Sequence, residues 1–263
     1  MAERLTPLEF DFLWESFGAG ELPYPLQVHS HGETMAERAT LRKQVLQDLA
    51  QRGLVDDRGR PQPYVEDWLG VIAGSDVSLD SVQISSQNAE PQLAVAAALG
   101  AQGVLLIKDP QGFFLDRLPA DALASAIVRL LPAAPRGGEK SITVTLEQLL
   151  SGPGVDFLQR RAPAPDGGRG SVDEDRKALA RLHAQTRLRG GQVGANARSG
   201  TGSKSRTPVL SWFDTETGRY FTQATRGRDG RDWITIAPAD APTLRHRLAE
   251  MLANAADSTT APL

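Results

Sequence analysis

Few residue patterns in this 263-residue chain could do chemistry. His29 and His31 stand two apart. On a strand they would share a face and could hold a metal ion. No third histidine or acidic cluster lies near them, so a polar loop is the better reading. Gly200-Thr201-Gly202-Ser203-Lys204-Ser205 looks like the tail of a phosphate-binding loop. That pattern needs glycine directly before the lysine and a helix after it, whereas Ser203 precedes Lys204 and a strand is expected next. Arg187, Arg189, Arg198, Lys204 and Arg206 form a basic segment that could meet nucleic acid or anionic lipid. It lacks interleaved aromatics on which bases stack. The whole chain has 29 basic against 32 acidic residues, a net charge of −3. A solvated, mobile loop over 190–206 is the expectation, with no nucleic-acid partner. Asp109 and Asp214 each precede a turn, where an Asp side chain bonds the backbone two residues on, and are not read as an acid/base pair.

The chain has no cysteine, which excludes a disulfide scaffold, a thiol nucleophile and any Cys-based metal site. There is no G-x-S-x-G elbow, and no dinucleotide fingerprint follows a strand. No catalytic residue, cofactor or metal ligand is therefore assigned. No apolar window approaches the roughly 20 residues that cross a bilayer. Glu3, Glu9, Asp11 and Glu15 do not suit a secretory signal. A cytoplasmic protein with no membrane insertion is expected. An enzyme of unrecognised chemistry would need a deep pocket of convergent polar groups. A self-associating structural or regulatory module, a homodimer for instance, would need a usable sheet edge or patch.

Helix starts are legible. Thr6-Pro7-Leu8-Glu9 combines a hydroxyl cap, a proline at the first helical position and a glutamate three residues on. Thr34 to Glu37 repeats the capping signal ahead of Leu41, Val45, Leu46 and Leu49, and Tyr64 to Ile72 suits a third helix. The period then shortens. Strands are predicted over 77–84, 93–99 and 104–107, with Phe113-Phe114-Leu115 returning from the turn at Asp109-Pro110-Gln111-Gly112. Pro119 opens another helix. Residues 132–138 look like a connector, 141–146 a strand, and 151–170 a loose segment. Ser171 caps a helix whose end carries Arg187 and Arg189. Strands follow at 209–213, 219–225 and 233–237. A last helix carries Leu244, Leu248, Met251 and Leu252, and a disordered tail is expected over 257–263.

Two stretches echo each other. Val104 to Asp109 stands against Val209 to Asp214, each leading to a turn glycine (Gly112, Gly218) and an aromatic strand (Phe113-Phe114, Tyr220-Phe221). Each later reaches Pro-Ala-Asp-Ala, at 119–122 and 238–241, before an amphipathic helix. Leu8-Glu9 has a counterpart in Leu146-Glu147. A duplicated half-unit explains this order, with an N-terminal half at 1–135 and a C-terminal half at 136–256. Two copies of so long a period exclude a solenoid.

The sequence resembles the EspG family, the cytosolic chaperones of type VII (ESX) secretion in mycobacteria and related actinobacteria. The resemblance rests on Leu5-Thr6-Pro7-Leu8-Glu9-Phe10 with Trp14, Gly20-Glu21-Leu22-Pro23, His31-Gly32-Glu33-Thr34 with Ala36-Glu37-Arg38, Gln192-Val193-Gly194, Trp212-Phe213-Asp214, Gly218-Arg219-Tyr220 and Trp233 to Asp240, in collinear order. It implies an α+β fold of quasi-twofold duplicated half-domains, with a central, mainly antiparallel sheet flanked by helical bundles. It also implies a non-enzymatic role. EspG proteins cap the apolar helical tip of the PPE subunit in a PE–PPE heterodimer, keep it soluble and deliver it for export; a related type VII substrate is the other partner the resemblance allows. In the family a second-half helical bundle and a first-half loop between strands grip the partner. By position these are helix 171–189 and the turn Ser85, Ser86, Gln87, Asn88, Ala89 and Glu90. On the helix Leu179, Leu182 and Thr186 share a face, and His183 and Arg187 complete the expected contact set. Leu179 and Leu182 equally suit a core position.

Overall fold

In the computed structural model, which describes residues 2–86, 88–147, 169–227 and 229–260, eleven strands form one sheet in which every ladder is antiparallel. In chain order the strands are β1 (Ala2–Leu5), β2 (Val77–Ile84), β3 (Gln92–Leu99), β4 (Gln102–Asp109), β5 (Gly112–Pro119), β6 (Ile142–Thr145), β7 (Arg189–Arg198), β8 (Lys204–Arg206), β9 (Leu210–Thr215), β10 (Gly218–Arg226) and β11 (Asp232–Pro238). Across the sheet they run β1-β5-β4-β3-β2-β7-β9-β10-β11-β6, with β8 attached to β7. Read outward from the centre, β2-β3-β4-β5-β1 mirrors β7-β9-β10-β11-β6. The β2–β7 ladder runs from Val77 opposite Ala197 to Ile84 opposite Gly190. Its midpoint, between the Asp80–Gly194 and Ser81–Val193 pairs, is the quasi-twofold centre of the duplicated fold.

The repeat holds in topology, but the letter match is one strand out of step. Val104 to Asp109 lies on β4, whereas Val209 to Asp214 runs along β9, whose counterpart is β3. Pro-Ala-Asp-Ala does sit at equivalent places, since Pro119 ends β5 and Pro238 ends β11. Leu8-Glu9 and Leu146-Glu147 likewise follow the two edge strands, β1 and β6.

The α-helices among the described residues are α1 (Pro7–Phe17), α2 (Met35–Gln51), α3 (Pro63–Gly74), α4 (Leu123–Leu130), α5 (Arg169–His183) and α6 (Ala241–Thr260). Thr6 and Glu9 form the reciprocal capping box at α1 that their spacing predicts, and Gly18 closes that helix in the left-handed conformation. The last helix continues through Thr260, three turns past Leu248, so its end is not the tail expected from 257. The loose segment expected over 151–170 lies largely outside the described residues. Among the described residues no helix is long and apolar enough to cross a membrane.

Among the described residues three apolar clusters hold the layers. On one sheet face, α4 and α6 cover both halves, packing Ile127, Leu244, Leu248 and Met251 on Leu79, Val193, Leu210, Trp212 and Phe221. On the other face, α1 to α3 cover the first half through Phe10, Leu13, Leu69 and Phe113, with the Phe10 and Phe113 rings stacked at 3.9 Å. The second half of that face is covered by α5, where Ala178, Leu179 and Leu182 meet Ile142, Phe213, Tyr220 and Ile236. Among the described residues, the middle of the sheet between these two helical covers is left open.

The basic segment read as a mobile loop is, over most of its length, the strand that joins the halves. β7 pairs with β2 on one side and β9 on the other. Its glycines hid it, because glycine weakens strands and usually marks loops. Here they are required by crowding. A Cβ on Gly191 would meet Val82 O at 2.5 Å and Trp212 Nε1 at 2.8 Å, and one on Gly194 would strike the Arg206 guanidinium. The phosphate-loop look-alike is the hairpin between β7 and β8, closed by Ser199 N donating to Ser203 O at 2.8 Å.

The connector 132–138 is fixed by charge. Buried Asp214 accepts from Arg219 Nε at 2.7 Å and Arg189 Nε at 2.6 Å. The same arginines donate to Pro132 O at 2.6 Å and Ala133 O at 2.7 Å. Asp214, expected only to shape a turn, is the centre of this clamp.

A candidate partner-binding groove on the central strands

On the open middle of the sheet, side chains at 78, 80, 82 and 84 of β2 point to the same face as 190 to 198 (even numbers) of β7 and as Ser211 and Phe213 of β9, since directly opposed residues share a face. A groove of about 570 Å³ lies over them. Val82, Ile84, Gln192, Ser211, Phe213 and Thr222 form its floor; Tyr24, Ser86, Arg187 and Leu188 form its rim. Six large apolar side chains among the described residues are notably exposed, and three of them line this groove: Tyr24 at 64%, Ile84 at 44% and Leu188 at 47%. Clustering distinguishes a site from the scattered apolar residues of any surface. Among the described residues the lining includes two arginines and no acidic residue, on a chain with net charge −3.

Local structure sets each contributor. Leu188 is held where the chain leaves α5, its N–H donating to Asp214 O at 2.8 Å. Arg187 lies over the Phe213 ring, 4.6 Å from its centroid. Tyr24 sits on the strap between α1 and α2, which side chains of α1 and α2 tie down. Trp14 Nε1 donates to Gly20 O at 2.6 Å, and Asp11 accepts from His31 N at 2.8 Å. Arg38 Nη1 donates to Asp11 Oδ2 at 2.9 Å and to His31 O at 2.8 Å, and Nη2 to Asp11 Oδ1 at 3.1 Å. Burial alone would raise the Asp11 carboxyl. Hydrogen bonds from Arg38 and His31 outweigh it and leave the group below its ordinary value.

Beyond Tyr24 the open face continues into a second, more polar basin of about 510 Å³, lined by Glu21, Asp76, Asn196, Arg198 and Arg206 among others. Tyr24 lines both. Near the quasi-twofold centre buried Asp80 receives both Arg206 Nη1 and Nη2, the latter at 3.0 Å, and Asn196 Nδ2 at 2.8 Å. Hydrogen bonding to Asp80 raises the Arg206 guanidinium above its ordinary value, so it stays charged.

The expected contact residues divide. Ser85, Ser86, Asn88 and Glu90 are exposed in the turn after β2, Ala89 is half-buried, and Gln87 lies outside the described residues. His183, Thr186 and Arg187 are exposed at the end of α5. Ser86 and Arg187, a hundred residues apart in sequence, line the same groove. Leu179 and Leu182 do not. Each is 4% exposed and packs into the second-half core, because the apolar face of α5 turns toward the sheet. Tyr24, Ile84 and Leu188 were missed. Only the turn signal next to Ile84 and the apolar letter beside Arg187 hinted at two of them. His29 is exposed and His31 faces Asp11. No group of three or more His, Cys, Asp or Glu side chains that could hold a metal occurs among the described residues.

A sequence model described as the EspG family matches residues 6–250. Among solved structures, the fold is similar to that of the Mycobacterium tuberculosis type VII secretion system chaperone EspG5, determined in complex with a PE25–PPE41 dimer. The TM-score is 0.67, over 97% of this chain and 96% of that one, at 14% sequence identity. No curated protein matches the chain.

Proposed function

The chain belongs to the EspG family, and from that premise we propose that it is a type VII secretion chaperone whose central groove receives the apolar helical tip of a PPE protein in a PE–PPE heterodimer. The gathering of Tyr24, Ile84 and Leu188 around one groove carries this reading. A contiguous apolar patch exposed in the cell invites aggregation. A helical tip of that kind is protected when an apolar groove with a polar rim covers it. The groove here is open to solvent, which suits capture followed by release. The rim residues Ser86 and Arg187, from the β2–β3 turn and the end of α5, supply polar contacts at its edge.

This role needs no bond made or broken, and we assign the chain no catalytic step and no cofactor. It acts before export, in the cytosol, while the partner still needs shielding.

Co-expression with the PE–PPE pairs of the same genome tests the reading. A pair that is insoluble alone becomes soluble, and elutes with this chain as one chaperone per heterodimer on a sizing column. If every such pair stays insoluble or elutes apart, the reading fails.

A further inference from the structure

Tyr24 is the most exposed aromatic ring of the groove, and its exposure is imposed rather than incidental. Its neighbours Pro25 and Leu26 are buried. The strap that carries it is tied by Trp14 at one end and by Asp11 and Arg38 at the other. Under the ring lies the Arg206 guanidinium, 5.5 Å from the ring centroid. Arg206 is itself held across the centre of the sheet by Asp80 on β2, and it donates to Asn196 Oδ1 on β7 at 2.8 Å. The tied strap and the fixed guanidinium thus converge on one tyrosine, on the ridge between the apolar groove and the polar basin. A rigid aromatic on such a ridge loses little freedom when it is covered, and interface energy concentrates on anchors of this kind.

We propose that Tyr24 is the anchor contact for the partner's apolar tip and that Arg206 is the residue that positions it. This rests on the chaperone reading given above. The tip lies against one side of the ring in the apolar groove, and the polar chain that follows it crosses into the basin lined by Asn196 and Arg198. Asp80 takes no part in contact. It fixes the guanidinium, and the guanidinium positions the ring by a cation–π contact.

The test uses the full chain and the PE–PPE heterodimer that co-purifies with it, with relative affinity read from the concentration of each untagged variant that takes half the heterodimer from the tagged parent chain. Tyr24→Ser weakens binding about thirtyfold, whereas Tyr24→Phe, which keeps the ring, stays within about twofold of the parent. Arg206→Met weakens binding about fivefold in the parent and has less than about a twofold effect in the Tyr24→Ser background, because its influence passes through the ring. Should Arg206→Met melt early, Arg206→Lys, which keeps a cation for Asp80 but loses the paired Nη1 and Nη2 hydrogen bonds that set the guanidinium beside the ring, serves the same comparison. Tyr24→Ser binding like the parent overturns the anchor. An equal effect of the Arg206 change in both backgrounds overturns the positioning role. A parent chain that captures no PE–PPE heterodimer refutes the chaperone reading itself.

Discussion

Asp80 and Arg206 stand 126 residues apart in sequence, one in each half of the chain, and their side chains meet at the quasi-twofold centre of the sheet. The arginine reaches Asp80 by lying flat over Gly194, where a side chain would block its path. Carboxylate, guanidinium and glycine therefore form one unit, and Tyr24, which lines both groove and basin, lies beside it.

Gly194→Ala pushes the guanidinium off Asp80. The end of a long side chain can yield, so the backbone need not move. The cost is a buried carboxylate left with fewer partners, about 1–3 kcal/mol. Urea denaturation shows it as a lower midpoint at unchanged slope.

Arg219→Met leaves buried Asp214 with Arg189 alone and frees the carbonyl of Pro132. Removing one partner of a buried ion pair costs about 3–5 kcal/mol. The connector loosens with it, so trypsin cleaves after Arg136 at shorter times than in the parent. Equal cleavage rates would show that the clamp does not hold the connector.

Asp11 gives the strap an acid-sensitive anchor. Its carboxyl in the folded chain titrates below its unfolded value. The stabilisation it supplies is complete above about pH 5 and is lost as the pH falls below about 4, through the folded value. Asp11→Asn is less stable than the parent at pH 7, by about 3 kcal/mol, and the gap closes at low pH. A gap that stays constant from pH 7 to pH 3 contradicts this assignment.

Leu182→Glu places a carboxylate in the second-half core beside Phe213 and Tyr220. It destabilises the chain by about 4 kcal/mol or more, visible as a lowered melting point and loss of near-ultraviolet circular dichroism. Ile84→Ser, on the exposed groove floor, changes stability by no more than about 0.5 kcal/mol, yet weakens partner binding about tenfold. The two substitutions separate fold from contact on one sheet face.

Helix boundaries were legible where a cap writes itself into neighbouring residues. Thr6 and Glu9 hold each other's backbone amides, so the spacing alone locates α1. Thr34 caps α2 as its letters suggest, accepting from Glu37 N, though Glu37 returns its own bond to Glu33 N instead of the cap. β1 was invisible because four residues carry no period, and its ladder to β5 joins positions more than a hundred apart. β7 was misread because its glycines answer to neighbours in other strands, not to local preference.

The sequence by itself determined most of the helices and the strands with a clear period, the existence of a repeat, the family resemblance and the absence of cysteine chemistry. These depend on letters within a few residues of one another or on their order along the chain. Only the tertiary structure decided that Leu179 and Leu182 face inward, that Arg206 crosses to Asp80, and that Tyr24, Ile84 and Leu188 share one groove. An apolar side chain has the same letter whether it is buried or bare. Which it becomes is settled by what folds over it, and among the described residues the helices on the groove face stop short of the middle of the sheet.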